Sequence, residues 1–595
     1  MCGIFSFISR EPSSIATVLV EGLQKITYRG YDSVGVSVLH NEEHHVIKAV
    51  GNMDQLAPLM PKKSLQAHVG IGHIRWATNG SVSLQNAHPV ASKHFALVHN
   101  GIISNIDDIA PRLPKISVLK GETDSEVVVH FCEHLWSNNR SSFFSLERAV
   151  ELLEGSWALA IACTKNPESL LFARKQSPLI IGEAPEGFYL ASDIGSMPDT
   201  VTELTFPEDG DYGFVNTKEI IVYNNKKEVV RPTSPHVTTQ QTATKGSFSS
   251  FLLKEIHEQP DVVRSILKNN VQKTESSSFT PSFAESVRIR TARMHLIACG
   301  SSYYASLLGV HWLEKIANIA ASPYIASEYY WQCAEDKMCA FISQSGETAD
   351  ILRLFSEPLK PKAKHTMCLI NSAHSSLSRL VPRVIPLYAG VERSVASTKA
   401  FLSQITTLFL LACAWGGEEG RKHIAKLETL PTLLDTLIKG SYDFLATNIP
   451  PLLDINHYIF LSAENLYPII VEGSLKMKEL SYITSTAYTF DNMPFLHIHP
   501  HSMLIIVLNK DHEPLAHEAL ALALQDHAPF VIVITNGPSD LIPPHCLHLE
   551  TPECDHLVFP MLATPFLQMI ALVVAEHRGS CIDQPRNLAK SVTVE

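Results

Sequence analysis

The cysteine that directly follows the initiator methionine is the residue with the clearest chemical potential in this chain. Removal of Met1 would leave Cys2 with both its thiol and a free α-amino group. An α-amino group has an unperturbed pKa of roughly 7.7 to 8.0, so near neutral pH a fraction of it can accept the thiol proton. The pattern predicts a nucleophile and its base in one residue. Taken alone, a cysteine at this position could equally be chance.

Three loops rich in hydroxyl side chains each follow an apolar strand pattern and precede a helix pattern. Their hydroxyls and backbone N–H groups at helix N-termini would form a phosphate cradle. A single Ser/Thr loop of this kind is most often only an N-cap. Three such loops at matched strand ends favour phosphate binding, and the lack of a lysine-rich Walker loop argues against a nucleotide. The loops are Gly300-Ser301-Ser302, Ser343-Gln344-Ser345-Gly346-Glu347-Thr348 and Ser394-Val395-Ala396-Ser397-Thr398-Lys399.

A lysine and a glutamate lie three residues apart farther along the chain, in a stretch with helix signals. Lys476 and Glu479 therefore share one helix face. A solvated ion pair is the usual result of such a spacing, and the residues alone support nothing more.

The elements that must position these residues are of two kinds. An apolar strand from Cys2 to Ile8 would place the thiol at a strand's beginning, and helix signals follow from Ser14 to Ile26. Beyond residue 290, six apolar strands form a weak internal repeat with a spacing of roughly 160 residues. Strands alternating with helices predict two parallel-sheet α/β domains that bind ligands at the carboxyl ends of their strands. These strands are His295–Cys299, Met338–Ile342, Met367–Ile370, Tyr458–Leu461, Leu504–Val507 and Phe530–Ile534.

The composition limits the classes of partner. At 595 residues the chain is too long for one core, so three domains of roughly 130 to 240 residues are expected. A net charge of −12 without a Lys/Arg run argues against nucleic acid or an anionic membrane surface. The 11 cysteines are scattered, form no CxxC pair and follow no secretory signal, which favours free thiols in the cytoplasm.

Two features of the pattern mark boundaries and buried segments. The stretch Arg231–Lys245 is rich in Thr, Ser, Pro and Gln, which is typical of a linker, and we place a domain boundary near residue 240. The most apolar stretches, Phe401–Trp415 and Met561–Ala575, are interrupted by polar residues or by Pro565. They fall short of the 18 or so uninterrupted apolar residues of a membrane span, so we expect buried helices.

Six motifs in the first 125 residues carry a resemblance to a known family. In this order and together, they resemble the glutaminase domain of class II glutamine amidotransferases. The resemblance implies an N-terminal nucleophile hydrolase fold, in which stacked antiparallel sheets lie between helices. The motifs are Met1-Cys2-Gly3-Ile4, Tyr28-Arg29-Gly30-Tyr31-Asp32-Ser33, Arg75-Trp76-Ala77-Thr78, Asn86-Ala87-His88-Pro89, His99-Asn100-Gly101 and Glu122-Thr123-Asp124.

The same resemblance implies roles for individual residues. Cys2 would attack the side-chain amide of glutamine, and Asn100 with the Gly101 N–H would form the oxyanion hole. Taken singly, Asn100-Gly101 is typical of a hairpin turn and Arg75 of a surface charge. Five residues would bind glutamine or close its pocket: Arg75 at the α-carboxylate, Asp124 at the α-ammonium, His88 and Thr78 in the pocket lining, and Trp76 closing an internal ammonia channel.

The rest of the chain resembles the sugar isomerase (SIS) half of the glutamine-fructose-6-phosphate aminotransferase family. The matching segments are Lys254–Pro260, Ser343–Thr348, the Lys476–Glu479 helix and the terminal run from Asp583. Within the first of these segments, Glu258-Gln259-Pro260 could equally be a helix stop. Composition alone makes the terminal run a frayed tail.

This second resemblance also implies roles. Glu479 would be the base that moves a proton between C1 and C2 of the sugar, and Lys590 would be the Schiff-base amine at the ketose carbonyl. The residues implied in binding the sugar phosphate are Ser302, Ser343, Gln344, Ser345, Thr348, Val395, Ser397 and Lys476.

The chain departs from the family between Thr486 and Ser502. The family has Glu-Ala-Tyr and then Gly-Glu-Leu-Lys-His-Gly-Pro here, with a histidine implicated in ring opening, and the Glu, Gly-Glu and Lys are missing from this chain. His499, before Pro500, is the best candidate for that histidine, and His497 and His501 are the alternatives. The three histidines could also form a metal site on one strand face, but Pro500 interrupts the strand and no carboxylate ligand is evident.

The sequence therefore predicts an α+β N-terminal nucleophile hydrolase domain followed by two α/β parallel-sheet SIS domains. Its parts are a glutaminase domain at 2–235, a linker at 236–250, SIS domains at 251–430 and 431–585, and an active-site tail at 586–595. The resemblance implies ammonia transfer from L-glutamine to D-fructose 6-phosphate with isomerisation, giving D-glucosamine 6-phosphate and L-glutamate. It implies no metal or organic cofactor, and it favours a homo-oligomer, most simply a homodimer.

Two other functions stay open at this stage. A glutaminase with an impaired SIS half could act as a sugar-phosphate-binding regulatory protein, because of the altered segment from Thr486 to Ser502. A purine-pathway amidotransferase shares the first domain, but it needs a phosphoribosyl-pyrophosphate loop with paired acidic residues, which the sequence lacks.

Overall fold

The structure is a computed structural model in which the chain forms two compact units, Met1–Gln240 with Val592–Glu595, and Gln241–Ser591. The residues that it describes are 2–61, 65–77, 79–114, 119–139, 141–236, 244–272, 278–289, 291–329, 337–356, 365–449, 455–495, 501–509, 530–540 and 542–592.

The first unit consists mainly of antiparallel strands. Its strands are β1 Gly3–Ser14, β2 Ser33–His40, β3 Glu43–Val50, β4 Gln66–Arg75, β5 Val90–Ala91, β6 Phe95–Ile103, β7 Gly155–Cys163, β8 Ser169–Lys175, β9 Ile180–Ala184, β10 Gly187–Ala191, β11 Glu203–Thr205, β12 Asp211–Asn216, β13 Ile220–Asn224, β14 Lys227–Val229 and β15 Thr233–Pro235. Its helices are α1 Ile15–Lys25, α2 Met53–Leu56, α3 Ile106–Ile109, α4 Asp124–Asn139 and α5 Ser142–Val150.

These strands form two sheets. One has the order β15-β11-β9-β10-β1-β4-β2-β3 and the other the order β14-β13-β12-β8-β7-β6-β5. Side chains from both sheets, such as Ile71 of β4 and Ala160 of β7, share one buried core. On the outer faces, Leu19 of α1 packs with the first sheet, and Val128 of α4 packs with the second. Stacked antiparallel sheets between helices are what the sequence resemblance implied.

The second unit consists mainly of helices and parallel strands. Its helices are α6 Phe251–His257, α7 Gln259–Asn270, α8 Pro281–Ser286, α9 Gly300–Ala317, α10 Ala349–Arg353, α11 Ser376–Leu380, α12 Lys399–Trp415, α13 Gly417–Arg421, α14 Ile424–Glu428, α15 Leu430–Ile438, α16 Ser441–Asn448, α17 Tyr467–Ser481 and α18 Phe559–His577. Its strands are β16 Val271–Gln272, β17 Ser278–Phe279, β18 Arg293–Ala298, β19 Ala320–Ile325, β20 Met338–Ser343, β21 His365–Ile370, β22 Val384–Pro386, β23 His457–Ser462, β24 Thr484–Thr489, β25 Ser502–Leu508, β26 Phe530–Asn536 and β27 Leu547–Thr551.

Two five-stranded parallel sheets organise this unit, in the orders β19-β18-β20-β21-β22 and β24-β23-β25-β26-β27. The six strands expected from the sequence are all present, and four more extend the sheets at their edges. One continuous apolar core contains side chains of both sheets together with α9, α12, α17 and α18. The two predicted α/β halves therefore share a core.

The two most apolar helices are buried in this core. In α12 nearly every residue is buried. Helix α18 is long and apolar enough to cross a membrane, which the sequence analysis did not expect, but 94% of its most apolar window is buried inside the fold. Burial of this kind is typical of a core helix.

A buried and an exposed valine test the core between the two antiparallel sheets. Val69 of β4 is fully buried there, whereas Val230 is 94% exposed. We expect Val69→Ala to lower the free energy of unfolding by about 2 kcal/mol, because it removes buried methyl groups and leaves a cavity. Val230→Ala, the matched control, should have almost no effect. Urea denaturation of the full chain measures both, and equal effects would contradict this assignment of the core.

Candidate functional site

The thiol of Cys2 lies immediately before β1, a central strand of the eight-stranded sheet. It donates to the backbone oxygen of Trp76 at 3.3 Å, and the Trp76 N–H donates back to the sulfur at 3.3 Å. Burial raises the pKa of the Cys2 thiol, while the Trp76 N–H and the Arg75 and Arg29 charges act in the opposite direction. The thiol therefore needs a base to become a nucleophile near neutral pH.

The Tyr28–Ser33 motif is the support behind this thiol. Arg29 is buried, and its Nε donates to the Cys2 backbone oxygen at 3.0 Å. Only glycine fits at position 30, because a Cβ there would lie 2.7 Å from the Arg75 backbone oxygen. Asp32 accepts a hydrogen bond from the Ala77 N–H at 2.7 Å. The motif thus fixes the chain on both sides of Trp76.

Arg75 is 3% exposed, so its interpretation as a surface charge is wrong. Its guanidinium donates to the backbone oxygens of Asn79, of Gly80 at 3.4 Å and of Ser81 at 3.2 Å. These contacts place a buried cation next to the thiol and hold the backbone from Asn79 to Ser81. Thr78 lies outside the described residues.

Asn100 and Gly101 lie inside β6, where they pair with Ala158 and Trp157 of β7. The hairpin-turn interpretation of these two residues is therefore wrong. Gly101 has a φ of +127°, and a Cβ there would lie 2.0 Å from the Ser156 backbone oxygen. Only glycine fits this strand position without strain.

The side-chain amide of Asn100 is held at both ends. Its Oδ1 lies 3.1 Å from His73 Nε2, which also lies 3.0 Å from the His99 backbone oxygen. Both neighbours of this nitrogen are acceptors, so His73 carries its proton on Nε2. The Asn100 Nδ2 donates to Ser192 Oγ at 2.6 Å, which leaves its second N–H for another acceptor.

Ser192 connects this amide to the strand that carries the nucleophile. Its Oγ accepts from the Ile4 N–H at 2.8 Å, and its own N–H donates to the Ile4 backbone oxygen at 3.0 Å. Neither Ser192 nor His73 was identified from the sequence. A lone serine after a strand gives no signal, and His73 lies two residues before the Arg75-Trp76-Ala77-Thr78 motif.

Asp124 begins α4 and is buried. Its carboxylate accepts from the Ile103 N–H at 2.9 Å and from the Ser125 N–H at 2.8 Å, and His99 Nδ1 lies 3.8 Å away. His88 is also buried, with its ring 4.4 Å from the His73 ring. Within the described part of the chain, neither ring nitrogen of His88 has a hydrogen-bond partner. Both could serve a ligand.

Two of the three hydroxyl-rich segments lie at the carboxyl ends of β18 and β20, as predicted, and the third lies directly before α12. Ser343 Oγ accepts from the Gly346 N–H at 2.9 Å and lies 3.2 Å from Thr348 Oγ1. Ser345 Oγ accepts from the Glu347 N–H at 3.2 Å. Gln344 is half-buried between them. Ser302, in the first turn of α9, accepts from Gln404 of α12 at 2.8 Å. Val395 and Ser397, both half-buried, lie in the loop before α12.

Lys476 and Glu479 are not a solvated pair. The Lys476 side chain is 1% exposed and lies 2.5 Å from Glu479 and 3.3 Å from Glu472, whose side chain is 2% exposed. Burial raises the pKa of Glu472 to about 7, although the Lys476 charge opposes it. Glu472 was overlooked, although its spacing of four residues from Lys476 was visible in the sequence.

Ser301 joins this charged cluster to the first half of the unit. Its Oγ donates to Glu472 Oε1 at 3.0 Å and accepts from Lys476 Nζ at 3.2 Å. The first turn of α9 and the helix α17 are thereby tied together.

The C-terminal segment is anchored rather than frayed as far as Lys590. Asp583 accepts from the Leu252 N–H at 3.1 Å and pairs with Lys245 at 2.7 Å. The Arg586 N–H donates to the Tyr482 hydroxyl at 2.6 Å. The Lys590 side chain is 6% exposed and forms an ion pair with Glu392, whose side chain is fully buried. Glu392 had no signal in the sequence.

The described residues include only part of the segment that departs from the family. His501 is exposed in the turn before β25, whereas His497 and His499 lie outside the described residues. Among the residues that the structure describes, no group of three or more His, Cys, Asp or Glu side chains is arranged to hold a metal ion. The described cysteines are all free thiols.

Comparisons with known proteins agree with this arrangement. A glutamine amidotransferase domain matches residues 74–199 and a SIS domain matches residues 289–414. The fold and the two matches define a chain that joins an amidotransferase domain to the sugar isomerase fold.

Full-length relatives identify the family more closely. The chain is 32% identical to a glutamine–fructose-6-phosphate aminotransferase [isomerizing] of Legionella pneumophila (strain Lens) and 33% identical to one of Pseudomonas putida, each over 100% of both chains. The C-terminal domain of the Francisella tularensis glucosamine-fructose-6-phosphate aminotransferase superposes with a TM-score of 0.51 and 28% identity, and it covers 57% of this chain and 100% of its own. The chain belongs to the glutamine–fructose-6-phosphate aminotransferase [isomerizing] family.

The buried histidines behind the first site should make the fold sensitive to acid. Burial lowers the pKa of His73 to about 3 and also lowers the pKa values of His88 and His99. Stability gained by keeping His73 neutral is complete above a pH of about 6.5 and is lost as the pH falls towards 3, at about 1.4 kcal/mol per pH unit.

We expect His73→Gln to reduce this slope by the equivalent of one proton, as measured by urea denaturation of the full chain between pH 4 and 7. His545→Gln, at an exposed histidine, should leave the slope unchanged. A His73→Gln slope equal to that of the unsubstituted chain would contradict the buried, neutral state of His73.

Proposed function

We propose that this chain is an enzyme that transfers ammonia from L-glutamine to D-fructose 6-phosphate with isomerisation, yielding D-glucosamine 6-phosphate and L-glutamate. This is the first step of amino-sugar biosynthesis. The observation that carries the proposal is the full-length relationship to aminotransferases of this kind, over 100% of both chains. The first domain alone would allow other amidotransferases.

In the glutaminase reaction, Cys2 would lose its thiol proton to its own α-amino group after removal of Met1. The thiolate attacks the amide carbon of glutamine. The amide oxygen becomes negative and accepts hydrogen bonds from the free Asn100 side-chain N–H and from the Gly101 backbone N–H. The α-ammonium group of Cys2 returns its proton to the amide nitrogen as this intermediate collapses, which expels ammonia and leaves a thioester that water cleaves to glutamate. Ser192 and His73 support the proposal, because they fix the Asn100 amide with a donor to spare.

Binding of glutamine would use the charged groups around the thiol. Arg75 offers a buried cation for the α-carboxylate and Asp124 a buried carboxylate for the α-ammonium. His88 would line the pocket with its unpaired ring nitrogens, beside Trp76 and Thr78. Desolvation at such a site strengthens these interactions relative to water.

In the sugar reaction, the hydroxyl-rich loops would bind the phosphate of fructose 6-phosphate through Ser302, Ser343, Gln344, Ser345 and Thr348, with Val395 and Ser397 beside them. Lys590 would form an imine at C2 of the open-chain sugar, which ammonia then replaces. Glu479 would move a proton from C1 to C2, and it lies in close contact with Lys476. His499 would assist ring opening.

The remaining parts of the proposal concern organisation. We assign the glutaminase domain to 2–235, the linker to 236–250, the SIS domains to 251–430 and 431–585, and the tail to 586–595. We further propose a homodimer located in the cytoplasm, where the free cysteines would stay reduced.

The decisive experiment measures both products of the purified full chain. With glutamine and fructose 6-phosphate under reducing conditions, we expect glutamate and glucosamine 6-phosphate in equal amounts. Glutamate without glucosamine 6-phosphate would overturn the synthase and favour the regulatory protein with an impaired SIS half. Cys2→Ala is the control: it should make neither product from glutamine, yet form glucosamine 6-phosphate from concentrated ammonium.

Substitution of the three histidines tests the departure from the family. We expect His499→Ala to lose synthase activity at least tenfold while glutamine hydrolysis stays normal, because ring opening is a step of the sugar half only. His497→Ala and His501→Ala identify the alternatives, and exposed His545→Ala is the matched control. Unchanged synthase activity in all three variants would remove these histidines from the mechanism.

A further inference from the structure

Two buried carboxylates in the second unit have no role in the mechanism above. The Glu392 side chain is fully buried, and Glu255 of α6 is 2% exposed. Buried carboxylates are unfavourable unless they are paired or hydrogen-bonded. Their partners therefore indicate what they are for.

Glu392 joins the loop before α12 to the tail lysine. Its Oε1 accepts the backbone N–H groups of Thr398 and Ala400, both at 3.0 Å, and its Oε2 forms the ion pair with Lys590. Burial alone would raise the pKa of Glu392, but the Lys590 charge and these hydrogen bonds lower it. Glu392 is therefore the carboxylate in direct contact with the reactive nitrogen.

Glu255 is bound to the same loop from the other side. Its Oε1 accepts from the N–H groups of Arg393 at 2.5 Å and Ser394 at 3.2 Å, while its Oε2 has no hydrogen-bond partner among the described residues. Burial and the neighbouring Glu392 charge raise the pKa of Glu255 to about 8, against the effects of Lys590 and Lys399.

The buried lysines around these two carboxylates each have a carboxylate partner without Glu255. Lys399 pairs with Glu258 at 2.6 Å, and the more exposed Lys254 lies 3.3 Å from the same carboxylate, so Glu392 and Lys590 form the remaining buried ion pair. When Glu255 is neutral, no unpaired negative charge lies next to the buried Glu392–Lys590 ion pair.

We propose that Glu392 is the proton acceptor that converts the Lys590 ammonium into the amine that attacks the sugar carbonyl, with Glu255 bound to the same loop from the other side. This inference rests on the proposed function, in which Lys590 forms an imine with fructose 6-phosphate.

The proton balance of this step closes within the pair. Lys590 passes one proton to Glu392, and its lone pair forms the N–C2 bond while the carbonyl electrons move to oxygen. That oxygen takes a second proton from the nitrogen, which gives a carbinolamine. Glu392 then returns its proton to the hydroxyl, water leaves, and the nitrogen lone pair forms the iminium bond. Glu392 ends as a carboxylate paired with the iminium.

The test is reductive trapping of the imine in the full chain. Fructose 6-phosphate with cyanoborohydride at pH 7 should attach the reduced sugar to Lys590, as seen by peptide mass spectrometry. Glu392→Gln keeps an oxygen for the two backbone N–H groups but cannot accept a proton. We expect it to trap at least tenfold more slowly, with glutamine hydrolysis unchanged. Glu392→Asp should recover part of the rate, and Glu419→Gln, at an exposed glutamate, is the matched control.

A second variant avoids any dependence on the folding of Glu392→Gln. Above a pH of about 8, ionised Glu255 would hold the Lys590 proton more tightly, so the trapping rate should level off or fall. Glu255→Gln should remove this effect and extend the rise to higher pH. Identical pH profiles for Glu255→Gln and the unsubstituted chain would overturn the role of Glu255.

The outcomes separate this inference from the proposed function. Trapping in Glu392→Gln at the unsubstituted rate overturns the inference but leaves the function intact. No adduct in the unsubstituted chain, or an adduct that persists in Lys590→Arg, overturns the imine and with it the inference.

Discussion

β1 pairs with β4 so that Gly3 lies opposite Ile74, and the whole first site depends on this register. The antiparallel direction carries Cys2 past the end of the strand to the Arg75–Trp76 turn. A shift by one residue would turn every side chain of β1 to the other face of the sheet. Because both faces are buried against apolar layers, the register is strongly specified. The thiol is positioned by backbone hydrogen bonds and by packing rather than by a flexible loop.

The second unit positions its reactive groups by a different constraint. Parallel strands bring the loops at their carboxyl ends to one edge, and the continuous apolar core holds the two sheets together. The two buried lysines form ion pairs with carboxylates: Lys476 lies between Glu472 and Glu479, and Lys590 is paired with Glu392. A charge removed from water needs a partner of opposite sign, so each lysine is tied to a defined carboxylate. The same ion pairs that satisfy burial bring acid–base groups into contact.

The sequence was informative where chemistry and periodicity act locally. The six apolar runs of the second unit are strands because continuous apolar segments between turn residues fit a sheet covered on both faces. Helix α1 follows its apolar spacing. The fold class and the family were confirmed, and the likeness of the motifs to a glutaminase led to residues that the structure brings together around Cys2.

What the sequence could not supply are contacts between residues distant in the chain. Ser192 and Asn100 are 92 positions apart, and Lys590 and Glu392 are 198 apart. No local pattern encodes such pairs. Taken singly, Asn100-Gly101 is typical of a turn, but this local preference is outweighed by pairing with β7. The roles of the individual site residues stay predictions.

The anchoring of Lys590 has a consequence for the order in which the two sites appear during translation. The groups that hold Asn100 and Cys2 are complete once Ser192 has been made, whereas the partner of Glu392 is made roughly 400 residues later, which takes about 20 to 80 seconds at ordinary rates of synthesis. A nascent chain could therefore shape its thiol site long before an acceptor site exists to use what it releases. If the Cys2 site stays inactive until the segment with Lys590 has been made, glutamine is not hydrolysed before the released ammonia can be used.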